Sequence, residues 1–189
     1  MMDLEHNVVP GQSRAVTMIR RVANNIRTWY KFHIKYPWVK YHGFVRVMHG
    51  VSFAKGIDVV IGNNVQFGPN CEITTSTHFG SNILIAGKVS IVGRKNHTYD
   101  NPEKTIWESP RGNDDLTIIE DDIWIGAGSI IMSGVCIGRG SIVAAGSVVT
   151  NSIPSCEIWG GNPAHKIKNR FLTDEEKMIH LDYLQDLCQ

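Results

Sequence analysis

Residues 119–154 read IEDDIW IGAGSI IMSGVC IGRGSI VAAGSV VTNSIP when cut after every sixth position. The leading place is always Ile or Val: Ile119, Ile125, Ile131, Ile137, Val143 and Val149. Four places on stand Ile123, Ser129, Val135, Ser141, Ser147 and Ile153, all small or β-branched. A helix repeats its apolar residues near 3.6 and a half-buried strand at 2, so a period of six fits neither. It fits a parallel β-helix built of hexapeptide units, each one short strand and a turn, with three units closing one triangular coil. Stacked coils place the leading aliphatics in a column inside the prism, while backbone N–H and C=O groups pair from coil to coil. A slip of one residue would turn that column out to water, so the register is strongly specified. No helical segment intervenes between the repeats, which sets the chain apart from an α/β sheet. The glycines at 126, 128, 134, 138, 140 and 146 fall at corners, where positive φ or a missing Cβ is wanted.

The same beat continues upstream through Ile61, Phe67, Ile73, Phe79, Ile85 and Ile91. Val47 and Phe53 mark an earlier coil, and the longer step from Phe53 to Ile61 predicts a two-residue bulge at Gly56–Asp58. Between the two blocks, from Ile91 to Ile119, about 22 residues exceed what one repeat needs, so they must leave the prism as a loop. Residues 93–117 read GRKNHTYDNPEKTIWESPRGNDDLT. Rigid stacks place their chemistry on what projects from them, which makes this excursion the first place to look for function.

The 189-residue chain divides into an N-terminal basic helical cap (1–46), the β-helix (47–153) with its loop (94–118), and a closing loop with a C-terminal helix (154–189). A net charge of +1 says nothing about partners, and no nucleic-acid partner is expected. Its distribution says more: nine basic residues and no acid lie between His6 and Ile57. Within that stretch, residues from about Ser13 to Tyr36 have helical periodicity, with Ala15, Ile19, Val22, Ile26 and Trp29 or Tyr30 on one face. Two roles follow, and they are compatible. The helix caps the open first coil, or its basic and aromatic side meets an anionic surface such as the inner membrane leaflet. No apolar run is long enough to span a membrane and no signal segment opens the chain, so the expected location is the cytoplasm or the inner face of its membrane. Cys71, Cys136, Cys156 and Cys188 lack CxxC spacing and read as reduced, packed thiols. Near the end, Thr173 and Glu176 form a capping box, and Met178, Leu181, Leu184 and Cys188 give the last helix one apolar stripe.

Two hexapeptide blocks, a histidine-bearing loop between them, the phrase DIWIGAGSIIMSGVCIG and the closing AGSVVTNSIPSCEIWGGNPAHKIK together resemble the maltose and galactoside O-acetyltransferase branch of the left-handed β-helix acyltransferases. The likeness runs from about Val47 to Arg170 and is greatest to members acting in capsule, O-antigen or exopolysaccharide synthesis. It implies an all-β, left-handed parallel β-helix, a homotrimer, acetyl-CoA bound in the crevice between subunits, a sugar or glycan acceptor, and no metal. The left hand comes from the resemblance, since crossover rules alone favour the right.

His97 in NHTYDN matches the family's catalytic loop histidine, and imidazole titrates near the pH where a base must take a hydroxyl proton. Asp100, Glu120 or a backbone carbonyl is left to orient it. The resemblance places the thioester beside the main-chain amide of Ala127, with Gly126 permitting close approach, and Trp124 lining the crevice. It runs the pantetheine along Ala145 and Thr150, the adenine over Asn162 and Pro163, and the phosphates to Lys166 and Lys168. The chain departs from the family pattern at Asn151 and His165, where relatives carry basic residues. Candidates to hold the acceptor are Asn70, Thr75, Ser76, His78, Tyr99 and Asp100; His78 stands nineteen residues before His97, so the two are expected to lie one above the other. Some members of the family carry an acidic residue near Thr75 or Ser76 to hold a sugar hydroxyl; its absence here departs from a simple maltose or galactoside substrate, and the nine-charge basic stretch puts an anionic or lipid-linked glycan on an equal footing. The alternatives are an amino-sugar N-acetyltransferase, a zinc hydratase on the same prism, which needs a third histidine, and a non-catalytic scaffold.

Overall fold

The computed structural model describes residues 13–187, so the beginning of the N-terminal segment and Cys188 lie outside the described residues. Five three-strand coils follow in chain order. They are β1 (Val39–Tyr41), β2 (Val45–Val47) and β3 (Ser52–Phe53); β4 (Val59–Ile61), β5 (Val65–Phe67) and β6 (Glu72–Ile73); β7 (Thr77–Phe79), β8 (Ile83–Ile85) and β9 (Ser90–Val92); β10 (Thr117–Ile119), β11 (Trp124–Ile125) and β12 (Ile130–Met132); and β13 (Cys136–Ile137), β14 (Ile142–Val143) and β15 (Val148–Val149). Corresponding strands pair in parallel to make three faces. Face A holds β1, β4, β7, β10 and β13; face B holds β2, β5, β8, β11 and β14; face C holds β3, β6, β9, β12 and β15.

The register carries the sequence's arithmetic. In the first step Val45 pairs with Val65, twenty residues on, which is the two-residue bulge expected around Gly56. In the regular steps Val65 pairs with Ile83, eighteen residues on. Across the excursion Thr77 pairs with Thr117, forty residues on, so the loop leaves without disturbing the stack. Every leading residue from Val47 to Val149 is buried in one continuous core. The serines four places on from the leading residues turn inward too, and hydroxyl donation keeps them from costing stability. Ser129 Oγ donates to the carbonyl of Ala144 at 3.0 Å and Ser141 Oγ to that of Pro154 at 2.8 Å.

The N-terminal helix α1 (Arg14–Tyr30) continues into one π-helical turn, Lys31–Lys35. Its orientation corrects the amphipathic expectation, because the polar side faces the prism. Asn24 and Thr28 are 5% and 4% exposed, and both donate to the carbonyl of Val45, at 3.1 and 2.9 Å. Lys31 donates to the carbonyl of Met48 at 2.9 Å. Strand β2 is the outer edge of face B, and side-chain donors protect such an edge as well as apolar cover does. The open end of the column is plugged instead by rings from the π turn and beyond. Phe32 packs against Tyr41 and Phe53, at ring separations of 5.0 and 5.6 Å, and Tyr36 packs on Phe53 at 5.3 Å.

At the other end, an antiparallel hairpin of β16 (Glu157–Gly161) and β17 (Ala164–Asn169) extends face B, where the sequence suggested only a loop. Helix α2 (Asp174–Leu187) follows with the expected capping box: the Glu176 amide donates to Thr173 Oγ1 at 3.1 Å, and the Thr173 amide to Glu176 Oε2 at 3.2 Å. Of the described members of its anticipated stripe only Leu184 is buried, and Met178 faces out. The helix is tied down by polar contacts as well, since His180 Nε2 stands 2.9 Å from Asp122 Oδ2, which also binds Arg170.

Candidate functional site

The loop springs from the corner between faces C and A, after β9 and before β10, and a carboxylate holds its root. Asp114 Oδ1 accepts from the amides of Arg94 and Lys95, at 2.8 and 3.0 Å, and from Ser133 Oγ at 2.6 Å. Burial works against its charge, but those three donors win and hold the carboxyl below its ordinary pKa. Arg94 adds a bond from Nε to the Ser133 carbonyl at 2.9 Å and a close contact with the carbonyl of Thr150. Further out the two limbs meet again: the Thr98 amide donates to the Pro110 carbonyl at 3.0 Å, and the Gly112 amide to that of Lys95 at 2.7 Å.

His97 sits on this frame, exposed, with Nδ1 3.2 Å from the carbonyl of Ser109. A carbonyl only accepts, so Nδ1 is the donor, and in the neutral ring Nε2 keeps its lone pair. That is the tautomer of a base, and the orienting group is a backbone carbonyl. Tyr99 and Asp100 are exposed farther along, as is Trp107, which no motif or spacing singles out.

At a different corner, between faces B and C, lies Gly126-Ala127-Gly128. The Gly126 amide is used in the stack, donating to the Val143 carbonyl at 2.8 Å, and a Cβ there would stand 2.4 Å from the Ala145 nitrogen. The missing side chain therefore serves coil packing. Ala127 is exposed, and its N–H meets no acceptor among the described residues. Gly128 has φ +70°, and a Cβ on it would meet nothing within 4 Å, so the corner is open. One coil on, Ala145 is likewise exposed beside Gly146, which has the same open surroundings. Thus two bare amide corners stack into an edge along which a thin, polar chain fits. Beside it on face B, Trp124 stands between Leu84 and Ile142 over a cleft of about 210 Å³ that Asn82, Asp122 and Arg170 also line.

Several expected contacts are placed otherwise. Thr75 is 3% exposed and turned into the prism, so it presents no side chain to an acceptor. Ser76 Oγ accepts from the Asp58 amide at 3.0 Å. His78 does not lie below His97: its neighbour in the next coil is Ile118, because the inserted loop displaces the count, and its Nε2 is 2.8 Å from Asp58 Oδ2. Asn70 occupies a corner with φ +58°. Asn162 and Pro163 form the exposed tip of the β16–β17 hairpin. Lys166 is paired with Glu157 at 2.6 Å, whereas Lys168 is exposed with no carboxylate partner among the described residues. Thr150 receives Arg94 through its carbonyl. Among the described residues no group of three or more His, Cys, Asp or Glu is placed to hold a metal ion.

Residues 116–151 match the family described as bacterial transferase hexapeptide (six repeats), and residues 58–91 match the hexapeptide repeat of succinyl-transferase. The chain is 36% identical over 130 residues to a galactoside O-acetyltransferase of Lactococcus lactis subsp. lactis, a match covering 66% of this chain and 52% of the relative. It thus spans about half that protein's length. Among solved structures, an N-acyltransferase from Bacillus cereus in complex with dTDP and 3-hydroxybutyryl-CoA is similar at TM-score 0.61 and 20% identity, over 81% of this chain and 82% of that one. A polySia specific acetyltransferase is similar at TM-score 0.52 and 27% identity, over 72% of this chain and 63% of that one. The prism is the left-handed parallel β-helix that the resemblance implied.

Proposed function

We propose that this chain, whose two repeat blocks match hexapeptide-transferase families, is an acetyl-CoA-dependent O-acetyltransferase acting on a sugar or glycan hydroxyl. The observation that carries this reading is the contact of His97 Nδ1 with the Ser109 carbonyl, which in the neutral ring puts the proton on Nδ1 and the lone pair on Nε2. In the reaction, Nε2 takes the proton of the acceptor hydroxyl as its oxygen bonds to the thioester carbonyl carbon. The carbonyl oxygen becomes negative, and the unpaired N–H of Ala127 is the donor that stabilises it. Collapse breaks the C–S bond, and the imidazolium returns its proton to the departing sulfur, leaving an ester and free coenzyme A.

His97 and Ala127 belong to different corners. From Arg94, bound to the prism, to His97 is three residues, at most about 11 Å of chain, whereas one face spans about 15–20 Å. The backbone alone thus falls short of Ala127, and a site holding both is readily completed by a second copy, in keeping with a homotrimer that has its cofactor in the intersubunit crevice. The exposed Ala127 and Ala145 corners would line pantetheine, with Trp124 at its margin. Asn162 and Pro163 would lie under the adenine and Lys168 at the phosphates, Lys166 being engaged by Glu157. Ser76, His78, Tyr99 and Asp100 are the acceptor candidates nearest the loop in the fold. The relative named for galactoside O-acetylation and the similar polysialic-acid enzyme make a glycan the acceptor of choice.

The test is transfer from labelled acetyl-CoA to a panel of neutral, anionic and lipid-linked glycans, with amino sugars as the competing acceptors. Base-labile label on a hydroxyl that disappears in His97→Ala, with oligomeric mass unchanged, is expected. Label found only as base-stable amide assigns the protein to N-acetylation, and full activity in His97→Ala overturns the mechanism.

A further inference from the structure

Helix α1 leaves an apolar stripe facing away from the prism. Met18, Ile19, Val22, Ile26, Trp29 and Tyr30 all lie more than half exposed; Ile19 is at 69% and Ile26 at 64%. They recur at three- and four-residue intervals, a continuous ribbon about 20 Å long. The helix cannot rotate to bury it, because Asn24, Thr28 and Lys31 are bonded to the carbonyls of Val45 and Met48 on the opposite side. Burial of Phe32 in the first coil fixes the helix's end as well. The orientation is thus built into the fold, and water meets the apolar side.

The charges around the stripe select what covers it. Arg20 and Arg27 each follow an isoleucine of the stripe by one position, which places them about 100° round the helix at its margin. Lys35 lies beyond them, and no acid occurs anywhere from His6 to Ile57. The field is strong enough to register on Lys31, whose pKa is lowered to about 8, first by burial and then by Arg27 and Lys35. A second copy of the helix would bring the same cations against these and be repelled, whereas an anionic surface is attracted. A soluble polyanion would answer the charge but leave the isoleucines wet. A bilayer bearing anionic headgroups satisfies both, with Trp29 and Tyr30 suited to the interface between headgroup and acyl chain.

We propose that α1 is an interfacial anchor that lays its Met18–Tyr30 stripe into an anionic membrane surface. No helix among the described residues is long and apolar enough to cross a membrane, so this attachment lies in the plane and is reversible. It is independent of acetyl transfer and is tested without it. The full chain is sedimented with neutral phosphatidylcholine vesicles and with vesicles containing about a third phosphatidylglycerol; binding is expected only to the second, weakening as salt is raised. Trp fluorescence is expected to shift to the blue on anionic vesicles, and Trp29→Phe to abolish that shift. The Ile19→Asp, Ile26→Asp double variant is expected to keep its far-ultraviolet dichroism and oligomeric mass and to lose binding more than tenfold. Three results would each overturn the proposal: no binding to anionic vesicles by the parent chain, vesicle binding by the double variant equal to that of the parent, or a fall in oligomeric mass in the double variant, which would make the stripe a contact between copies.

Discussion

The prism and its loop are held by different physics. In the prism each aliphatic of the column is backed by another one coil away: Ile131 lies between Ile91 and Val149, all three fully buried. The loop has no such redundancy. It hangs on Asp114, on Arg94, and on two backbone bonds between its limbs. Redundant packing gives a scaffold whose corners do not move, and a few directional bonds give an arm that can be set in place by one residue. A histidine base needs both: the first to place the bare amide of Ala127, and the second to hold the ring in one tautomer.

The comparison is broken most severely inside the column. Ile131→Ala removes a side chain packed on both sides, and it is expected to cost about 2–5 kcal/mol in urea unfolding with an unchanged slope. The matched change on the arm, Ile106→Ala, touches an exposed residue and is expected to stay within about 0.5 kcal/mol. Equal losses at the two sites would mean the loop is part of the cooperative core. A sharper cut separates fold from chemistry at the amide corner. The positive φ at Gly128 suits the third position of a type II turn, whose second position, Ala127, accepts proline. Ala127→Pro therefore deletes one N–H and leaves the turn. Turnover is expected to fall about 10²–10³-fold, with the melting temperature near that of the parent. Unchanged turnover would remove Ala127 from the mechanism.

The column was readable because one property, apolar at every sixth residue, is enforced by a stack that tolerates no slip. The size of the loop could be read for the same reason, as the remainder when the repeats are subtracted. What the sequence could not show is anything decided by direction rather than period. Helix α1 has an unmistakable stripe, yet the carbonyl of Val45 on the edge strand β2 draws in Asn24 and Thr28 and leaves the stripe outside. The interval between His78 and His97 has the length of one coil, but the chain leaves the prism after β9 and its last four residues belong to the excursion, so Ile118 takes the place above His78. Thr75 reads as an acceptor contact, but it sits at the corner between β6 and β7 with its side chain buried. The Ser109 carbonyl as partner of His97 carries no side-chain signal at all.

The smallest effects fall on the loop root, where they discriminate best. Asp114→Ala removes one acceptor from three donors, and the expected result is local: tryptic cleavage at Lys104 or Arg111 at least tenfold faster, turnover lower by about tenfold, and a thermal midpoint shifted by only a few degrees. A large drop in the midpoint with no change in cleavage would make Asp114 a part of the core instead. The same carboxyl gives the arm its pH dependence. Its pKa is depressed on folding, despite partial burial, by Ser133 and the amides of Lys95 and Arg94. Its stabilising effect is therefore fully present above the ordinary carboxylate value and is lost as pH falls through the lower, folded value. The Lys95 amide resonance, followed by NMR, is expected to hold its bonded position from neutral pH down through the range where free aspartate protonates, about 4, and to move only below it. An amide that moves at or above that value would show that the donors do not outweigh burial, and the root would then be held by Arg94 alone.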